Sequence, residues 1–188
     1  MLNFIDRWLN SITMYRLVLT SLMVITTVAI ILAFWSLLPY SGISMIVSLL
    51  IIISSSLLFN WIFAKVLNAP TNLESATITA FILFLLLTPQ LSVSFVQTAL
   101  IAAILAMASK YLLAFHRKHW FNPAAVAAVI LGLLGNGSVS WWVGSLVLLP
   151  ITLPLGLLIV RKIRRFQMWF AFMVASLVAI GLDRKSVV

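Results

Sequence analysis

Cations fall in only every second break between the apolar runs of this chain. The runs cover about residues 17–38, 43–66, 75–87, 92–115, 123–134, 141–160 and 166–182. With the breaks placed on alternating sides, one side receives Arg7 and Arg16 of the N-terminal segment, Lys65 and Lys110 near the ends of their runs, and Arg117, Lys118, Arg161, Lys162, Arg164 and Arg165. The alternate breaks at 39–42, 88–91 and 135–140 carry no charge. Basic loops stay on the cytoplasmic side of a membrane, so this alternation predicts a cytoplasmic N-terminus and about seven spans. The fold class that follows is all-α: a polytopic helical bundle, multi-pass in the cell (plasma or inner) membrane.

Composition agrees, with 64% hydrophobic and 8% charged residues, far from an ordinary soluble domain. Several runs approach the roughly 20 residues that cross a hydrocarbon core. No short alternating strands of a membrane barrel are present. The net charge of +9 belongs to loops beside spans, and no extramembrane basic domain exists to bind nucleic acid. The absence of cysteine excludes disulfides, Cys-zinc sites and thiolate-bound clusters within the chain.

Residues 1–16 read as an interfacial segment. Leu2, Ile5, Trp8, Leu9 and Ile12 fall at helical spacing, with Asp6 and Arg7 on the polar side. No small-residue cleavage site follows the first apolar run, which reads as a retained span. The transmembrane domain occupies 17–182, with Pro150 and Pro154 expected to kink the span at 141–160. The tail at 183–188 places two cations on the uncharged side, and reads as foreign or truncated sequence or as a short natural tail.

Two runs are too short for a full crossing. The first has about 14 residues, roughly 21 Å of helix, against a hydrocarbon core of about 30 Å. It includes Glu74, Ser75, Ala76, Thr79 and Ala80. The second opens at Asn122-Pro123-Ala124 and stops before Gly135. Aligned, they match at Ala76/Ala124, Ala80/Ala128, Ile82/Ile130, Leu83/Leu131, Leu85/Leu133 and Leu86/Leu134. Paired short segments of this kind mark binding sites within membranes. Their N-termini present free N–H groups and partial positive charge to an anionic or polar group. Small faces at Ala76/Ala80 and Ala124/Ala125/Ala128 allow close approach. Composition alone is the other source of such a match.

The densest chemistry lies at residues 116–126. A basic loop there (His116, Arg117, Lys118, His119) enters a helix capped by Asn122, with Pro123 at its first position. The histidines are three apart, but Arg117 and Lys118 oppose a cation, so no metal site is assigned. Lys110, Arg117 and Lys118 either anchor topology or bind a flavin phosphate or an acidic partner surface. Glu74 is either a favourable first-turn charge or an ion or proton group. No catalytic constellation is present.

Ser75-Ala76-x-x-Thr79-Ala80, an apolar run to Pro89, Lys110, and Phe121-Asn122-Pro123-Ala124 together resemble the N-terminal half of the RnfD/NqrB family. Its members are membrane subunits of the Rnf electron-transport complex and of sodium-translocating NADH:quinone reductase. The resemblance covers about residues 17–134. It implies a flavin-binding subunit, part of a membrane oxidoreductase, that couples electron transfer to ion transport. The family's covalent flavin motif, Ser-Gly-Ala-Thr, has no counterpart here, so the implied flavin (FMN or riboflavin) is non-covalent. Its binding residues would be Asn122, Pro123, Ala124, Ser75, Ala76, Thr79, Lys110, Arg117 and Lys118. Implied partners, besides the lipid bilayer, are other electron-transport subunits or a fused cytoplasmic flavin/NAD reductase domain. The alternatives are a non-redox solute or ion transport module using the same half-helix site, and a membrane anchor for a missing oxidoreductase domain.

Overall fold

The computed structural model describes residues 2–115, 118–119, 121–135 and 139–183. His116, Arg117, Trp120 and the tail from Arg184 lie outside the described residues. Eight α-helices follow one another among them: α1 (Leu2–Ser11), α2 (Met14–Phe34), α3 (Gly42–Val66), α4 (Leu73–Leu86), α5 (Val93–Leu112), α6 (Pro123–Leu133), α7 (Leu149–Ile163) and α8 (Phe166–Asp183). A two-residue antiparallel pairing joins Ala114–Phe115 to Lys118–His119 between α5 and α6.

Helices α2, α3 and α5, of 21, 25 and 20 residues, are long and apolar enough to cross a bilayer. The chain is a helical-bundle membrane protein. Large apolar side chains point outward from the long helices, among them Val24 and Ile31 on α2, Leu50 on α3 and Ile101 on α5. That is the surface a lipid environment accommodates.

Five helices start on a side-chain cap. Thr13, Ser41, Asn72, Ser92 and Asn122 each accept a backbone N–H of the first turn, at 3.0 to 3.3 Å. Each such cap stabilises its helix by about 1 kcal/mol. In an apolar medium the alternative is an unsatisfied donor, so short polar residues at span starts carry more weight than their number implies.

Helix α4 is the centre of the bundle, with α2, α3, α5 and α6 packed round it. Ala76, Ala80 and Phe84 on α4 are completely buried. The neighbours meet it with small side chains. On α3, Ser44, Ser48, Ile52, Ser56, Asn60 and Ala64 recur every four residues and are all buried, so one face of the helix is small or polar. On α5, Ala99, Ala102, Ala103 and Ala106 do the same. Small residues let backbones approach closely where lipid gives no hydrophobic driving force.

The two short helices lie where the repeat predicts, and the buried stripe of α6 corresponds to Ala76, Thr79 and Leu83 of α4, which are also buried. On α6, Ala124, Ala127 and Leu131 are buried, while Ala125 is exposed. The contact therefore follows the 124/127/131 stripe. The expected small face of Ala124, Ala125 and Ala128 is corrected to that extent.

The region after α6 also differs from expectation. Residues 141–148 do not begin a long span. A 3-10 turn at Trp142–Gly144 precedes α7, which starts at Leu149. Trp142 Nε1 donates to the carbonyl oxygens of Phe84 and Leu87, both at 3.1 Å. Ser140 N donates to Leu86 O at 2.8 Å. These bonds satisfy carbonyls at the end of α4, which a helix terminus leaves open. Pro150 falls in the first turn of α7, where a missing N–H costs nothing; Pro154 lies inside the helix.

These contacts define two ends. At one, Tyr40 and Phe84 pack edge-on against Trp142, and Ser48 Oγ reaches Gln90 O at 3.4 Å. Among the described residues, no ion pair lies at that end. At the other end gather Asp6, Arg16, Glu74, Lys110 and Arg161. Helices α4 and α6 both start at this charged end and run in the same direction. Helices α7 and α8 stand to one side. Helix α7 meets α1 and α2, while α8 touches α7, and most of its apolar side chains are exposed.

Candidate functional site at the charged end of the bundle

Lys110 lies in the last turn of α5 and is only 4% exposed. Its position follows from the sequence. The apolar stripe that buries Ala103, Ala106 and Met107 continues to residue 110 one turn later, so the ammonium is carried into the bundle. Burial of a charge costs several kcal/mol unless polar partners replace water. Two do so. Nζ donates to Asn60 Oδ1 at 3.1 Å and to Asn72 O at 3.4 Å. The Tyr111 hydroxyl also donates to Asn60 Oδ1, at 3.0 Å, and to Asn60 O, at 3.2 Å. Tyr111 is held in turn by stacking on Phe63, with ring centroids 6.3 Å apart.

The cluster ties three helices together. Asn60 belongs to α3, Lys110 and Tyr111 to α5, and Asn72 is the cap of α4. Asn72 uses its carbonyl for Lys110 and its side chain for Ser75 N, 3.0 Å away. The lysine is thus fastened directly to the start of the central short helix.

Charge balance at this cluster is one-sided. Among the described residues Lys110 forms no ion pair. Glu74 is directed elsewhere, 3.9 Å from the Arg16 guanidinium, and both side chains are well exposed. The N-terminus of α4 adds partial positive charge. Asn60 is completely buried, and its Nδ2 has no hydrogen-bond partner. Two donors converge on its Oδ1, which fixes the amide orientation and leaves Nδ2 as a donor. One turn earlier on the same face, Ser56 Oγ is likewise buried without a partner. A lone cation, a helix N-terminus and an unused buried donor are together complementary to an anionic, acceptor-rich group.

The structure brings some of the sequence-predicted residues together and leaves others apart. Lys110 and Ser75 meet through Asn72. Ala76 is buried in the next turn, and Thr79 is buried with its hydroxyl donating to Ser75 O at 2.9 Å. Glu74 stands beside this cluster on the exposed side. Asn122, Pro123 and Ala124 form the start of α6 as expected, with Asn122 Oδ1 accepting from Ala124 N at 3.1 Å. Among the described residues, no hydrogen bond links them to Lys110. An open, largely apolar groove of about 290 Å³ runs beside Phe121, Asn122, Ala125 and Val129. Arg117 lies outside the described residues. Lys118 is described only as backbone in its two-residue pairing.

Sequence reasoning missed Asn60 and Tyr111. A signal for Asn60 was present, since it continues a four-residue rhythm of Ser44, Ser48 and Ser56 inside an apolar run. Polar groups at such spacing in a span face protein rather than lipid.

No protein-family model matches the chain, and no curated protein or solved structure matches it.

Proposed function

We propose that this protein is the membrane module of an electron-transport system of the Rnf/Nqr kind, and that its charged end holds the phosphate of a non-covalent FMN. The observation that carries this reading is the buried Lys110 ammonium beside the N-terminus of α4, which pairs with no carboxylate among the described residues. The donor set fits a phosphate: Lys110 Nζ, the unused Asn60 Nδ2 and the α4 N-terminus all offer hydrogen or positive charge. The basic loop with Arg117 and Lys118 would extend this field toward the ligand or toward an acidic partner subunit or reductase domain. Bound there, a flavin supplies one- and two-electron redox chemistry. The chain's own residues anchor the phosphate, exclude water and set the distance from the membrane surface. Asn122, Pro123 and Ala124 form the second short helix and offer its N-terminus to the polar edge of the same ligand. Glu74, at the mouth, is the group available for coupled proton or cation movement.

The topology belonging to this reading has about seven crossings, with the charged end and the N-terminus in the cytoplasm. The cellular location is the plasma or inner membrane. Helices α4 and α6 cross with help from polar flanks and local thinning of the bilayer.

A second reading is supported by the same cluster. A non-redox transport module would use Lys110 as the binding group for an anionic solute. Ser56 Oγ and Asn60 Nδ2, both buried and unpartnered one turn apart, would be the next polar contacts inward. The two readings separate on colour. Protein purified from membranes with a flavin absorption band, lost in Lys110→Met, supports the redox module. Colourless protein that stays colourless on addition of FMN overturns it.

A further inference from the structure

A second basic site at the same end of the bundle, sharing no residue with the Lys110 cluster, lies where α7 turns into α8. The turn is short: α7 ends at Ile163 and α8 begins at Phe166. An open cleft of about 760 Å³ sits against it, lined by Asp6, Arg161, Arg164, Arg165, Phe166, Gln167 and Met168. Three of these seven side chains are guanidiniums and one is a carboxylate, so the lining carries excess positive charge.

The carboxylate is already committed. Asp6 accepts from Arg161 Nε at 2.9 Å and from its second guanidinium nitrogen at 3.1 Å. This bidentate pair fixes Arg161 as one wall. Lys162 Nζ donates to Leu9 O, which fastens α1 to the same end of α7. Arg164 and Arg165 are exposed and form no ion pair among the described residues. Arg164 holds a left-handed backbone at φ 57°, a conformation that glycine and asparagine adopt more readily. An arginine therefore occupies a turn position that its backbone does not favour.

The cleft opens onto apolar surface. Phe166 and Phe170, about one turn apart on the same side of α8, are both exposed. A ligand with an anionic head and apolar tails matches that layout, and a membrane supplies one. Basic pockets beside spanning helices select acidic headgroups.

We propose that the α7–α8 turn is a binding site for an anionic phospholipid. Its phosphate is held by Arg164 and Arg165 against the fixed Arg161, and its acyl chains lie along the exposed face of α8. Forked guanidiniums suit a phosphate better than ammonium groups do, and among the described residues no lysine lines the cleft.

The test uses the full chain in nanodiscs of phosphatidylcholine containing one-fifth phosphatidylglycerol. The protein is extracted in mild detergent, and the retained lipid is measured by native mass spectrometry. The wild type retains phosphatidylglycerol several-fold above its share, and Arg164→Gln/Arg165→Gln brings retention down to that share. Arg7→Gln, which removes an exposed cation elsewhere, leaves retention unchanged. Arg165→Gln alone lowers it several-fold and serves if the double variant does not fold. Retention at the bulk share in the wild type, or full retention in both arginine variants, overturns the proposal. An excess of inorganic phosphate that strips the lipid as fully as added phosphatidylglycerol does would assign the cleft to free phosphate instead, and also overturns it.

Discussion

Lys110 Nζ and Asn60 Oδ1 are 3.1 Å apart across the interface of α5 and α3, both side chains being essentially without solvent. The pair is asymmetric, and the asymmetry separates binding from folding. Asn60→Leu leaves the buried ammonium with only the Asn72 carbonyl and the Tyr111 hydroxyl with only the backbone carbonyl of residue 60, and is expected to cost about 2–3 kcal/mol. Lys110→Met removes the charge while Tyr111 still donates to Asn60, so its cost stays near 1 kcal/mol. Thermal unfolding of both variants in detergent checks the order. Equal losses would mean that the lysine is held by something other than Asn60.

Trp142 secures the opposite end. Its indole N–H serves two carbonyls at the close of α4. Trp142→Phe keeps most of the ring packing against Tyr40 and Phe84 and removes the donor, and is expected to lower stability by about 1–3 kcal/mol. Trp142→Ala also loses the ring, for a total of about 3–5 kcal/mol. A phenylalanine variant as stable as wild type would show that packing alone matters there.

Attachment of α1 responds to acid. The Arg161 guanidinium, bonded to both Asp6 oxygens, holds that carboxyl below the usual carboxylate range. A depressed folded value means that the contribution is complete above the unfolded value, about 4, and is lost as pH falls through the lower folded value. Limited proteolysis of α1 is therefore expected to be constant from pH 5 to 8 and to quicken in stronger acid. High salt should also weaken so exposed a pair. Asp6→Asn removes the acid response; if it persists, another group is responsible.

Topology is open to a clean test because the chain has no cysteine. Single replacements Ser41→Cys and Lys65→Cys lie at opposite ends of α3 and are expected to react with an impermeant maleimide from opposite sides of the membrane. Labelling of Lys65→Cys in intact cells, or of both positions from one side, would contradict a cytoplasmic charged end.

Much of this arrangement was legible in the sequence, because the strongest signals are one-dimensional. Hydropathy marked the long helices α2, α3 and α5, and Asn122-Pro123 marked the start of α6; the matching cap of α4 by Asn72 went unread. Lys110 stood out through the family resemblance, while the charge map gave it only as one of ten cations on one side. What stayed hidden depends on partners far apart in the chain. Asn60 lies 50 residues before Lys110, and Phe84 lies 58 before Trp142. No periodicity within one helix announces which carbonyl a buried indole will find. The stretch at 141–148 was misread for that reason. Its apolar composition fits a span, while its backbone follows the unsatisfied end of α4.

The proposed role of Lys110, as the group that receives the phosphate of a flavin, is open to direct measurement. The direct measurement is titration of the purified protein with FMN and with riboflavin, followed by quenching of flavin fluorescence, in the wild type and in Lys110→Met. Saturable FMN binding is predicted, with riboflavin at least tenfold weaker, a difference of about 1.4 kcal/mol. Lys110→Met should lose most of the preference for FMN, the remainder resting on Asn60 Nδ2 and the start of α4. Equal affinities for FMN in wild type and Lys110→Met, or no flavin binding by the wild type, would contradict the account.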